Sequence, residues 1–197
     1  MRLLCYLRFF KIFIMILPIS AYGNPILRKE TEDIDENYPN LSALIEDMFE
    51  TMKNAEGVGL AAPQIGLNIR LFVVDLSCLA DENPEFANYK KVMINPEMVE
   101  MSGDDVSMEE GCLSLPGVSE SVVRKHKIII NYLDENFEEH EEEYTGFPAR
   151  VIQHEYDHLE GKLFVDKISG IRRQLIRGKL NNISLGKANC RYRLKNS

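Results

Sequence analysis

The chain has 197 residues, 45% of them hydrophobic, which is enough for one compact domain with a sizeable core. Tryptophan is absent, and the four cysteines (Cys5, Cys78, Cys112, Cys190) are scattered without a C-x-x-C pair. These features argue against a base-stacking surface, DNA as a partner, and a disulfide framework, and they fit a reduced compartment.

Residues 1–14 are apolar apart from Arg2, Arg8 and Lys11, and small residues follow at Ala21 and Gly23. The pattern resembles a signal peptide but is too short and interrupted for a membrane span. The expectation is that the working protein begins at Met15 and stays in the cytoplasm, with 1–14 a non-core extension. If 1–23 act as a targeting segment, an organelle or an exported location follows instead. Leu41, Leu44, Ile45, Met48, Phe49 and Met52 follow helical spacing, with Asn40 as N-cap and the two methionines as core. Gly57-Val58-Gly59-Leu60-Ala61-Ala62 matches a dinucleotide fingerprint, but it follows a helix and precedes the strand pattern Arg70–Asp75, so the element order is wrong for a nucleotide site.

Residues 77–90 read as an exposed acidic loop. Short strands are expected at 92–94 and 98–99, then at 121–124 and 127–133, with a turn at 134–136 leading into an acidic edge strand over 137–144. His126 and His140 read as surface histidines. A short extended piece is expected at 163–165, then a basic amphipathic helix over 168–183 broken near Gly178. Residues 167–197 hold nine basic residues and no acid, leaving 14 basic against 31 acidic residues in 1–166. A basic tail on an acidic body points to a polyanionic neighbour.

The chemistry concentrates in Gln153-His154-Glu155-Tyr156-Asp157-His158. On a helix, His154 and His158 share one face and together grip a divalent metal, with Glu155 beside them as general base for a metal-activated water. A catalytic metal of this kind takes three protein ligands. Phe164 stands where one protease group has its third His, and no Asp or Glu follows Asp166. The third ligand is therefore expected upstream, which opposes an ordinary zinc protease. Two upstream segments have suitable chemistry: Glu109-Glu110-Gly111-Cys112-Leu113-Ser114-Leu115-Pro116-Gly117 offers a thiolate, and the glycine loop 57–66 ends with the amide of Gln64.

These three motifs, in this order, resemble those of peptide deformylase: G-x-G-L-A-A-x-Q, E-G-C-L-S and Q-H-E-x-D-H. The resemblance runs from about Ile16 to Lys187. It implies metal ligands Cys112, His154 and His158, with Glu155 as the proton carrier. It also implies the Gln64 amide and the Leu113 backbone N–H as donors to the reacting oxygen. The implied methionine pocket is Val58, Met108, Phe147 and Val151, with Gly59 letting the peptide backbone approach. The implied metal is Fe2+, with Zn2+, Ni2+ or Co2+ as substitutes, and the implied substrate is the formyl-methionyl nascent peptide. Some family members contact the ribosome through a carboxy-terminal helix.

The expected architecture is α+β, with antiparallel sheets packed around a central metal-binding helix and a C-terminal basic helix. Residues 15–166 form the catalytic part and 167–197 the basic helix and tail. Departures from the pattern are Ser119, where the family commonly has Arg, and Arg124-Lys125, where it often has R-P. Arg124 is expected to pair with Glu110. Two other readings are a metallo-endopeptidase of the H-E-x-x-H type and a non-catalytic metal-stabilised module.

Overall fold

The computed structural model describes residues 14–196, so almost all of the 1–14 segment lies outside the described residues. Seven strands and three helices follow in chain order: β1 (Ile19–Ser20), α1 (Leu41–Asn54), β2 (Gly59–Ala61), β3 (Leu71–Asp75), β4 (Lys90–Gly111), β5 (Ser119–Leu133), β6 (Glu139–Thr145), α2 (Gly146–Leu159), α3 (Gly170–Ser184) and β7 (Leu194–Lys195). Strands β2 to β6 form one antiparallel sheet in sequential order.

Alternation along β3 explains how the sheet becomes the middle layer. Phe72 and Val74 point into a core with Met93, Ile128, Ile130 and the Val151, Ile152 and Leu159 face of α2. Leu71 and Val73 point the other way, onto Ile45, Met48 and Met52 of α1. Helix α2 is thus buried along most of its length, whereas α1 and α3 keep one wet side.

Several expectations need correction. The strands expected at 92–94 and 98–99 are parts of a single 22-residue strand, β4. Register shifts at Ile94/Glu97, Met98/Glu100 and Ser102/Asp105 break the alternation that would have revealed its length. The pieces 121–124 and 127–133 likewise join in β5. The small β1–β7 ribbon is parallel rather than antiparallel, which is possible because the chain between its strands is long. Asn40 does not cap α1 with its side chain: it sits at φ 57° in the left-handed region, and only its carbonyl enters the helix, accepting from Leu44 N–H at 3.0 Å. Residues 77–90 are not a wholly exposed loop, because a turn at Pro84–Phe86 buries Phe86 in the α2 core. Leu163–Val165 is expected extended, but Phe164–Asp166 forms a 3-10 turn. Helix α3 runs unbroken through Gly178.

Both ends of the described chain pack onto the body. Met15 N–H donates to Asp47 Oδ1 at 2.6 Å and Leu17 N–H to Thr51 Oγ1 at 2.9 Å, while Ile19, Ala21 and Leu27 are buried. Ile176, Leu180 and Ile183 of α3 share a third core with Leu115, Val118, Val122, Leu163 and Phe164. Among the described residues, no helix is long and apolar enough to cross a membrane.

Candidate metal centre

Helix α2 opens after the extended residue Thr145, with Gly146 at φ 63° and Pro148 within the first turn, where a missing N–H costs nothing. Two turns further on, His154 and His158 stack edge to face, with ring centroids 5.2 Å apart. Cys112 comes one residue after the end of β4, and its Sγ stands 3.2 Å from His158 Nε2. One donor atom from each of Cys112, His154 and His158 lies within 4.8 Å of the other two.

The surroundings hold these donors in place. Glu110 Oε2 binds His154 Nδ1 at 2.9 Å, leaving the other ring nitrogen as the free donor. Glu110 is itself held by Arg124, at 2.6 and 2.9 Å, and by Arg150 at 2.8 Å. Arg124 reaches on to Asp157 Oδ2 at 2.7 Å. Burial acts to raise the Glu110 carboxyl, but the hydrogen bonds from Arg124 and His154 outweigh it and hold the group well below the usual carboxylate range. Burial and the nearby His154 push His158 well below an ordinary histidine, the direction that favours the neutral form a metal ligand needs. Burial acts to lower His154 as well, but its neighbours Cys112 and Glu110 outweigh burial and move it the other way. One thiol and two imidazoles, with buried carboxylate support, are a donor set that fits a divalent transition metal.

Glu155 lies beside the three donors. It is buried, and its Oε2 has no hydrogen-bond partner. Burial pushes its carboxyl up to about 7, the range of a group that both takes and returns a proton near neutral pH. Gly59 faces this carboxylate so closely that an added Cβ would meet Glu155 Cδ at 2.8 Å. The need for glycine at 59 thus lies in Glu155 itself. Gln64 lies within the 3-10 turn Ala62–Ile65; its Oε1 accepts from Ala61 N–H at 2.7 Å, which turns Nε2 toward Cys112 Sγ at 3.5 Å and Ser114 Oγ at 3.4 Å.

These groups open onto a cavity of about 690 Å³ whose walls include Val58, Gly59, Leu113, Phe147 and Val151. His158 lies beneath it, 1% exposed. Met108, expected in the pocket, is not among the lining residues. It stands opposite Val122, one pleat repeat (roughly 6.8 Å) back along β4 from Glu110. Ser119 does line the cavity. Arg124 and Glu110 pair as expected, while His126 is exposed and His140 is half-buried, stacked on Tyr132. Phe164, which stands in place of a histidine, stacks on the His154 ring at 6.0 Å.

Sequence reasoning missed Arg150 and Asp157 as members of the charge network, although both share α2 with His154 at helical spacing. It also missed Asn189 to Tyr192, which form one wall of the cavity; no local pattern marks them.

Comparison with known proteins agrees with this geometry. The family profile described as polypeptide deformylase matches residues 16–174. The peptide deformylase of Christiangramia forsetii is 51% identical over 188 residues, covering 92% of this chain and 96% of the relative. That of Cytophaga hutchinsonii is 51% identical over 181 residues, covering 92% and 97%. The crystal structure of a Legionella pneumophila peptide deformylase superposes with a TM-score of 0.78 at 39% identity, covering 89% of this chain and 99% of that one. A plant peptide deformylase structure gives 0.79 at 38% identity, covering 88% and 92%. The chain belongs to the polypeptide deformylase family, a family of hydrolases that act in protein biosynthesis.

Proposed function

We propose that this enzyme removes the formyl group from the N-terminal formyl-methionine of newly made polypeptides, in a reaction that depends on a divalent metal held by Cys112, His154 and His158. The observation that carries the reading is the position of Glu155. Its buried carboxylate, with one oxygen unpartnered, stands next to that donor set and opens onto a cavity with apolar walls.

When bound, a divalent ion at these donors acts as a Lewis acid and makes water a better nucleophile near neutral pH. Glu155 takes a proton from the water that adds to the formyl carbon. The formyl oxygen gains negative charge, and the Gln64 Nε2 amide and Leu113 N–H are its donors. The carbon–nitrogen bond then breaks, formate leaves, and Glu155 returns the proton to the methionine nitrogen. The methionine side chain rests against Val58, Phe147 and Val151. Fe2+ is the native ion that the family resemblance implies; thiolate and imidazole suit zinc as well as iron.

The test is formate release from a formyl-methionyl peptide, run beside cleavage of an internal peptide bond, with and without chelator. Chelator-sensitive formate release without internal cleavage is expected. Internal cleavage instead supports the endopeptidase reading, and activity toward neither supports a non-catalytic module.

We further propose a cytoplasmic location and contact with ribosomal RNA through residues 167–197. The RNA contact is supported by a polar groove along α3 lined by Arg173, Arg177 and Asn181. Such contact weakens steeply with salt. Charge reversal at Arg177 is expected to reduce co-sedimentation with ribosomes at low salt; unchanged, salt-insensitive co-sedimentation refutes the contact.

A further inference from the structure

The turn after β4 presents Cys112 and Leu113 to the cavity, and its shape depends on where its carbonyls are tied. Cys112 O accepts from Leu115 N–H at 2.9 Å, and Ser114 O accepts from Tyr22 N–H at 2.8 Å. The carbonyl between them, Leu113 O, is held by a side chain: Tyr192 Oη donates to it at 2.8 Å across 79 positions of sequence. Among the described residues, the Leu113 N–H itself donates to no protein acceptor.

Tyr192 is well placed to fix that peptide group, because its own segment is anchored on both sides. Downstream, β7 pairs with β1: Ile19 N–H donates to Arg193 O at 2.8 Å and Ala21 N–H to Lys195 O at 2.9 Å. Asn196 Nδ2 then donates to Ile183 O, at the end of α3, at 2.7 Å. Upstream, Arg191 pairs with Glu56, and both line the cavity. The same β1 segment leads to Tyr22, which ties Ser114 O. One small ribbon thus holds two consecutive carbonyls of the turn, through Tyr192 and Tyr22.

We infer that Tyr192 is a positioning residue for the reaction: through its hydrogen bond to Leu113 O it keeps the Leu113 N–H aimed at the oxygen that gains charge. With Cys112 O tied to Leu115 and Leu113 O tied to Tyr192, the peptide planes on both sides of the Leu113 Cα are fixed. The Leu113 N–H lies in the first of these planes, which is held through Leu115. Without the phenol the second plane, which links Leu113 to Ser114 and on to Leu115, loses its tie, and the turn that carries the Leu113 donor loosens. This inference rests on the proposed deformylase reading, in which Leu113 N–H is a donor to the reacting oxygen.

The test is Tyr192→Phe, which removes only the hydroxyl, in metal-loaded enzyme. The expected result is a kcat about tenfold lower, a part of the 10²–10³ that deleting an oxyanion donor costs. KM should change by less than about twofold, the pattern of an interaction made in the transition state. Metal content and the thermal midpoint should match the wild type. In 15N-leucine-labelled protein the Leu113 amide resonance should shift. An unchanged kcat overturns the inference. So does a fall in kcat with the Leu113 resonance unmoved, or one in which KM and thermal midpoint move with it, since that pattern means general packing. If the wild type itself releases no formate, the deformylase reading fails and this inference falls with it. An active wild type with an equally active variant removes the inference alone.

Discussion

Replacing Arg124 by methionine tests how much of the fold hangs on charge buried under the site. The guanidinium is 3% exposed and meets Glu110 and Asp157, themselves 4% and 11% exposed. Methionine keeps much of the length and removes the cation. Breaking a buried ion pair by deleting one partner costs about 3–5 kcal/mol, because the remaining charge is left uncompensated. Here each carboxylate keeps another partner: Glu110 retains Arg150 at 2.8 Å and Asp157 retains Lys167 at 3.3 Å. That places the expected loss at the low end, about 3 kcal/mol. For a chain of this length it lowers the thermal midpoint by roughly 6–12 °C. Urea unfolding should show a lower midpoint at unchanged slope. The control is Lys125→Met, which breaks an exposed pair with Asp105 and should cost under about 1 kcal/mol. Equal losses in the two variants would refute the reasoning, since they would mean that burial adds nothing to the Arg124 contacts.

Other predictions concern the site and its supports. Glu155→Gln should keep one metal per chain and lose nearly all formate release, whereas Cys112→Ala should lose metal; elemental analysis beside activity separates the two outcomes. Gly59→Ala forces the Glu155 carboxylate to move and should lower kcat by about 10²-fold, as displacing a reacting group by an ångström does, with metal retained. Asp166 accepts from Arg28 at 2.5 and 3.2 Å and from Leu163 N–H at 2.9 Å. Burial acts to raise its carboxyl, yet these bonds hold it below the ordinary value. A depressed folded pKa gives stability that is present above the unfolded value of about 3.9 and is lost as pH falls through the folded one. Asp166→Asn should therefore cost about 1 kcal/mol at pH 7, a size limited by the part-exposed Arg28, and the difference from wild type should close in acid.

Much of the site was legible because its parts are local. His154, Glu155 and His158 fall within five residues of one helix, and helical spacing alone puts the two histidines on one face. Cys112 and Gln64 sit in short motifs whose residue types name their chemistry. What escaped is what depends on distance or on broken periodicity. Strand β4 hid its length because three register shifts interrupt the alternation. Asn40 looks like a helix cap by residue type, but its left-handed backbone takes the side chain out of play. Met108 has the polarity of a pocket residue, but it is not among the residues that line the cavity, and it lies one pleat repeat along β4 from Glu110. Tyr192 meets Leu113 across 79 positions of sequence, beside a parallel ribbon that no local pattern predicts.

The proposed ligand set also predicts how far the fold would depend on a bound ion. Cys112 follows β4, while His154 and His158 belong to α2, so a metal bound by all three links the sheet's longest strand to its central helix. Any ion that binds the folded chain and not the unfolded one stabilises it by mass action, about 4 kcal/mol when free metal is a thousandfold above the dissociation constant. For a chain of this size that is roughly 8–16 °C in thermal midpoint. Stripping the protein with chelator should lower the midpoint by about that amount, and adding back Zn2+, which avoids iron oxidation, should restore it. Cys112→Ala should melt at the same temperature with or without chelator, because it has no ion to lose. Glu110→Gln should fall between, since a partner that orients a ligating histidine is worth about 10–100-fold in metal affinity. A wild-type midpoint that stays fixed while elemental analysis shows the metal gone would mean that no ion joins β4 to α2, and the ligand assignment would have to be abandoned.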